Sequence, residues 1–276
     1  MSAERELARV AIWFVNMAVA ESKQMVRSAM REYEEPEEYR EDASGDFISH
    51  LRGSRLAAAE RLSRKTGALK KLQRMVDRIG HMALLHAVND WDNMVAEVFG
   101  KHVDKELYQD EMKYLISSWI HQNVSLITSI QTAYLGTVED IIRWGYETRQ
   151  PKINIYRRLE KMVGLTRRHA RFIACDQLGT LNSQITRHEH ESAGISLYRW
   201  VTKHDSRVRD SHRAFDGKVF SWESPPDGWY ITKKKGLVLT GRRCHPGEDY
   251  MCRCTAQPVF DLERSVKLLR SHFRGE

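Results

Sequence analysis

The sequence predicts an α+β protein, with a mainly α-helical N-terminal two-thirds and a small C-terminal α+β module of short strands. Two observations carry this expectation. Up to Gly194, apolar residues recur at steps of three and four, the period of an amphipathic helix. After Gly194, aromatic and branched residues come in short runs bounded by Gly, Pro, Asp or Lys, as strands and hairpins require. A chain of 276 residues with 41% apolar side chains can bury one or two cores without lipid or disulfides. The expected organisation is a helical region over 1–118, a second over 119–194, and the small module over 195–276.

Taken in order, residues 4–31 place Leu7, Val10, Ala11, Phe14, Val15, Ala18 and Met25 on one stripe and form a first helix. It stops at Glu34, Glu35, Pro36, Glu37 and Glu38, where proline and mutually repelling carboxylates disfavour continuation. That stretch reads as a solvated hinge or an acidic binding motif. From Phe47 to Phe99 the chain is helix-rich, and Gly53, Gly67 and Gly80 divide it into short helices. The span 105–146 is strongly helical, with Ile127, Ile130, Tyr134, Val138 and Ile142 on one face and Gly145 near its end. Pro151 opens a helix over 155–162 that Gly164 ends, and Thr166 is the expected N-cap of another running to about His188. Strands are expected at 196–201, 217–222, 229–232 and 237–240, followed by a terminal helix on Leu262, Val266, Leu269 and Phe273.

No run approaches the roughly 18 apolar residues of a membrane span. The N-terminal apolar stretch lacks a cleavage pattern, so no secretory signal is read and maturation in the cytoplasm is expected. Of the formal charge of +7, residues 1–118 carry −2 (18 bases, 20 acids), 119–198 carry +3 (10 and 7), and 199–276 carry +6 (16 and 10). The basic excess belongs to the C-terminal end, where it would attract a polyanion such as nucleic acid. Lys233, Lys234 and Lys235, with Arg242 and Arg243, lie beside Trp229 and Tyr230 and can neutralise phosphates while aromatic faces meet bases; the alternative is a solvated loop.

The densest polar constellation runs from His204 to Cys254. Four cysteines are too few for a disulfide scaffold, and three of them, Cys244, Cys252 and Cys254, cluster. Zinc prefers four thiolate and imidazole ligands in a tetrahedron, and cysteines flanking a single residue can reach one ion. Two readings stand: a structural zinc ion held by Cys244, Cys252 and Cys254 with His212 or His245, or reduced side chains packed in a small core. His204, Asp205, His212 and His245 also admit a hydrolytic site, a metal-dependent nuclease. Phosphate-loop, dinucleotide-fingerprint, serine-hydrolase and zincin motifs are absent. Arg207 and Arg209, two apart, would share one face of a strand and pair with Asp205 or Asp210, or present a fork to phosphate.

The run Tyr198-Arg-Trp-Val-Thr-Lys-His-Asp-Ser-Arg-Val-Arg-Asp-Ser-His212, then Asp216-Gly-Lys-Val-Phe220, His245-Pro-Gly, Cys252-Arg-Cys254 and Pro258-Val259, resembles the C-terminal module of phage head morphogenesis proteins. These are minor capsid proteins of the Mu F and SPP1 gp7 type. The resemblance covers about residues 120–260, and the family pattern falls on Trp200, Asp205, Arg207, Arg209, His212, Gly217, Pro246, Gly247, Cys252, Arg253 and Cys254. It implies a structural rather than enzymatic protein, located in the head interior near the portal and in the host cytoplasm during assembly. The implied partners are the portal protein, a scaffold or major capsid protein, and double-stranded DNA; no membrane is implied.

Overall fold

The computed structural model describes residues 3–33, 44–234, 236–261, 265 and 268–273. The expectations for 34–43, Lys235, Leu262 and Val266 fall outside them. Six helices come first: α1 (Ala3–Glu32), α2 (Ser44–Ser63), α3 (Thr66–Phe99), α4 (Lys105–Glu111), α5 (Lys113–Glu147) and α6 (Lys152–Ser192). The remainder alternates β1 (Leu197–Val201), α7 (Asp210–Phe215), β2 (Val219–Ser221), β3 (Asp227–Thr232), β4 (Gly236–Arg243) and β5 (Thr255–Pro258), and a 3₁₀ turn spans Arg270–His272. The predicted class therefore holds, with helix making up 70% of the protein. No described helix is long and apolar enough to cross a membrane.

The helices are fewer and longer than their glycines predict. Gly53 lies inside α2, Gly80 inside α3 and Gly164 inside α6, whereas the break expected at Gly67 is present: α2 ends at Ser63, and Gly67 is the second residue of α3. A helical glycine costs about 1 kcal/mol relative to alanine, which an apolar stripe many turns long outweighs. Thr166 is no N-cap: it sits mid-helix, and its hydroxyl donates back to the Met162 carbonyl at 3.0 Å. Conversely, the span expected as one helix over 105–146 is interrupted at Met112, the C-cap of α4, whose N–H bonds back to that helix.

The chain divides into two compact units, residues 1–78 with 120–174, and residues 79–119 with 175–276. These boundaries do not follow 118 and 194, because α3, α5 and α6 each contribute residues to both units. In the first unit, Tyr33, Phe47 and Tyr146 form an aromatic cluster, with Phe47 and Tyr146 stacked at 4.0 Å between centroids. The Tyr33 hydroxyl lies 2.7 Å from the carbonyl oxygen of Gly145. Gly145 belongs to α5 itself, and its small size serves packing: a Cβ there would fall 2.5 Å from Ile155 Cγ1.

In the second unit, β1 is the centre of an antiparallel sheet ordered β2-β1-β5, while β3 and β4 form a separate hairpin. Tyr198 stands opposite Phe220 and Pro258, and Trp200 opposite Ala256. Along β1 burial alternates, with Tyr198 and Trp200 inside and Leu197 and Arg199 exposed, so the period of two aims both rings at the core. The same unit buries Asp92. Its carboxylate accepts the Val103 N–H at 3.0 Å and faces Lys105 Nζ at 2.9 Å and His102 Nδ1 at 3.1 Å. Burial pushes the Asp92 carboxyl up, but the Lys105, Val103 and His102 hydrogen bonds together outweigh it, and the net shift is downward.

Asp92→Ala should strand the buried Val103 N–H and destabilise this unit by about 1–3 kcal/mol, read as faster hydrogen exchange at that amide. With a folded-state pKa below the ordinary aspartate value, the carboxylate's contribution is complete above that value and lost as pH falls through the depressed one. Asp92→Asn should accordingly flatten the pH dependence of stability in the acid range, measured by urea unfolding at stepped pH.

Candidate metal centre

Three side chains from two separate segments of the second unit converge. His212 lies on α7, while Cys252 and Cys254 lie on the strand-like approach to β5. All three are buried, and their donor atoms fall within 4.8 Å of one another. His212 Nδ1 lies 3.6 Å from Cys252 Sγ and 3.6 Å from Cys254 Sγ. Trp200 packs against the imidazole at 5.0 Å between ring centroids, with Phe215 behind it.

The loop between Cys244 and Cys252 sets the position of the thiols. Pro246 and Gly247 are buried, and Gly247 takes φ +91°, a backbone conformation that glycine adopts without strain. Its N–H points to Cys252 Sγ at 3.4 Å. The loop rests on the C-terminal part of α6: a Cβ at Gly247 would meet the Gly179 carbonyl oxygen at 3.0 Å and Ser183 Cβ at 3.1 Å. Asp176 completes the seat by accepting the Met251 N–H at 2.9 Å.

The electrostatics are those of a shared proton. The hydrogen bond from Cys254 and the neighbouring His212 pull the Cys252 thiol down against burial, whereas the same bond and burial push Cys254 up. On the far side of the imidazole, Asp249 Oδ2 lies 3.8 Å from His212 Nε2. Asp249 also faces Arg209 at 3.4 Å and Arg242 at 3.3 Å, so one carboxylate gathers the histidine and two guanidinium groups.

Of the five candidate metal ligands, the structure thus brings together His212, Cys252 and Cys254; Cys244 and His245 stand outside this group. His245 Nδ1 is 2.9 Å from the Tyr198 hydroxyl, and the ring packs against Trp222. Half-burial, reinforced by Asp249 and Glu248, pushes the Cys244 thiol up to about 11. His204 is exposed and faces Asp216 at 3.5 Å. The histidines considered for water activation therefore have three separate sets of partners.

The family-pattern arginines are engaged. Arg253 makes a two-pronged pair with Asp205, 2.7 Å at each prong, and this pairing holds the Asp205 carboxyl well below the usual range. Arg207 and Arg209 are not on a strand: Arg207 sits in a turn, pairs with Asp205 at 3.4 Å, and donates its backbone N–H to that carboxylate. Arg209 is the N-cap residue of α7, and its guanidinium also bonds the Tyr250 carbonyl. Gly217 takes φ +74° at the turn into β2 and donates its N–H to the Trp200 carbonyl at 2.8 Å.

The basic-loop residues are less concentrated than their sequence spacing implies. Lys233 and Lys234 are exposed at the tip of the β3–β4 hairpin. Arg243 is held by Asp227 at 2.9 Å, and Arg242 lies over the Tyr250 ring at 4.5 Å as well as against Asp249. Sequence reasoning missed Asp249, Asp176 and Gly179. Asp249 could have been suspected from its place inside the Cys244–Cys252 loop, whereas nothing in a helical run marks Asp176 or Gly179 as the seat of a distant loop.

Residues 142–257 match the family model described as Phage Mu protein F like protein. The resemblance drawn from residues 198–259 is thereby supported by a match that contains the converging His212, Cys252 and Cys254. An uncharacterized protein of Haemophilus influenzae strain Rd is 32% identical over 144 residues, covering 52% of this chain and 29% of that relative. The matching region thus spans under a third of that longer protein. No solved structure matches.

Gly247→Ala should destabilise the module more than Gly217→Ala. Both positions impose positive φ, costing about 1–2 kcal/mol for an L side chain, but only at Gly247 would the new Cβ also press on α6. Unfolding followed by the fluorescence of the buried Trp200 and Trp222 should rank the two variants in that order.

Proposed function

We propose that this chain is a structural minor head protein of a tailed bacteriophage, held inside the procapsid at the portal and touching packaged double-stranded DNA. The family match over residues 142–257 carries the reading at the level of head morphogenesis. Portal association and DNA contact extend it. The extension toward DNA draws on the +6 charge of residues 199–276 and on Lys233 and Lys234, exposed at the hairpin tip. Scaffold or major capsid protein is the expected neighbour on the inner shell.

Co-expression with the portal, scaffold and major capsid proteins of the same phage tests the assembly role. The chain is expected in purified procapsids and absent from shells assembled without portal. Failure to enter portal-containing procapsids would overturn the assignment. A metal-dependent nuclease would instead cleave plasmid DNA with a divalent ion and lose that cleavage in His212→Ala.

DNA contact has its own readout. Each phosphate neutralised contributes about 0.9 to the slope of log affinity against log salt. Replacing Lys233 and Lys234 together by alanine should reduce that slope by about 1.8 if both reach phosphates, measured by filter retention across a salt series. An unchanged slope would leave these lysines as solvated residues of the hairpin.

A further inference from the structure

We propose that His212 Nδ1, Cys252 Sγ and Cys254 Sγ are three ligands of a tetrahedral zinc ion whose fourth corner opens to solvent. Zinc bonds thiolate sulfur at about 2.3 Å and imidazole nitrogen at about 2.0–2.1 Å, so a tetrahedron built from them has nitrogen-to-sulfur edges of about 3.6 Å. His212 Nδ1 lies 3.6 Å from both sulfurs. A two-centre hydrogen bond from the single Nδ1 position would favour one sulfur, whereas an ion at the centre holds both at the same distance.

The donor chemistry and surroundings agree. One imidazole with two thiolates suits a borderline-soft ion without geometric preference of its own. All three ligands are buried, so their orientations are fixed by packing before any ion arrives. Ligating histidines are commonly oriented by a carboxylate on the other ring nitrogen, and Asp249 occupies that side of His212. Ligating thiolates attract backbone N–H groups, and the Gly247 N–H points at Cys252. These supporting groups come from the Pro246-Gly247 loop, which explains why a bend with positive φ is built beside the cysteine pair.

The ligand set also differs from a closed four-residue site. Cys244 and His245 stand outside the group, and the three converging residues line a small surface pocket with Lys203, Arg207 and Arg209 at its rim. The fourth corner would face that pocket, where a water or small anion could complete the tetrahedron. The ion would tie α7 to the approach to β5, so metal binding would contribute to the folding of the module.

The test uses the full chain, purified without chelators and analysed for zinc, iron and copper. About one zinc per chain is expected; fewer than about 0.2 equivalents, or iron or copper in its place, overturns the proposal. Cys252→Ser and His212→Ala should lose the ion, whereas Cys244→Ser and His245→Ala should retain it. Loss in Cys244→Ser would overturn the three-ligand set.

Two measurements on the unmutated chain guard against variants that fail to fold. Cobalt substituted for zinc should give the visible bands of a tetrahedral thiolate site, and these should shift on adding azide at the open corner. Bands indifferent to azide would contradict the open position. Alkylation mapped by mass spectrometry should show Cys252 and Cys254 protected until a chelator is added, with the largest chelator-dependent change in rate at these two of the four cysteines. Equal labelling of Cys252 and Cys254 with and without chelator would overturn the site.

Discussion

The module depends on one close approach: the Pro246-Gly247 loop lying on the C-terminal part of α6 at Gly179. Neither glycine has room for a side chain without displacement, since a Cβ at Gly179 would come within 3.3 Å of the carbonyl oxygens of both Cys252 and Gly247. Two backbones this close place the following residues with little freedom. Met251 is tied to Asp176, and Cys252 and Cys254 follow immediately, ahead of β5. Because β5 pairs with β1, and β1 carries Trp200 against His212, the same contact fixes the thiols relative to the imidazole. Loop, sheet and short helix are thus positioned by a steric constraint rather than by a summed propensity.

Charge works differently. The C-terminal excess of bases looks like a broad polyanion surface when counted along the chain, but several guanidinium groups are already committed. Arg253 and Arg207 share Asp205, Arg209 and Arg242 share Asp249, and Arg243 holds Asp227. Exposed pairs of this kind contribute little to stability, up to about 1 kcal/mol each, yet they set side-chain direction and lower the local field. Lys233 and Lys234, by contrast, are exposed at the hairpin tip, and an ammonium group on a flexible stem acts as a point charge rather than a two-pronged fork.

The architecture was legible wherever a period exists. The stripe of α1 and the alternation of β1 are visible in the chain because burial on one face leaves a repeat of 3.6 or 2, while β2 to β4 are marked by short aromatic or branched runs between turn residues. Helix ends were less legible: glycine signals interruption only when the surrounding apolar stripe is too weak to hold the helix, as α3 and α6 show. β5 and α7 are not marked in the sequence because Thr-Ala-Gln-Pro and the six residues of α7 carry neither a branched and aromatic run nor a full apolar stripe. At the site, Cys-Arg-Cys announced itself, and His212 was named beside it. The choice between His212 and His245 lay beyond the sequence, because it turns on Tyr198 reaching the His245 ring across 47 residues.

That choice follows from the size of the aromatic cluster. Its buried members are Tyr198, Trp200, Phe215, Trp222, Cys252 and Cys254, with Phe220, Trp229 and Ala256 packed against them. Large rings fill such a space with few residues, but each polar edge needs a partner once buried. His245 serves Tyr198, and on the adjoining side His190 accepts the Trp222 indole N–H at 3.1 Å, its own pKa pushed down to about 3 by burial. These two imidazoles are therefore retained as neutral partners for the hydroxyl and the indole. His212 is bounded instead by two sulfurs on its Nδ1 side and by the Asp249 carboxylate on its Nε2 side. Three histidines close together in sequence or space thus acquire different chemistry from the atoms facing their nitrogens.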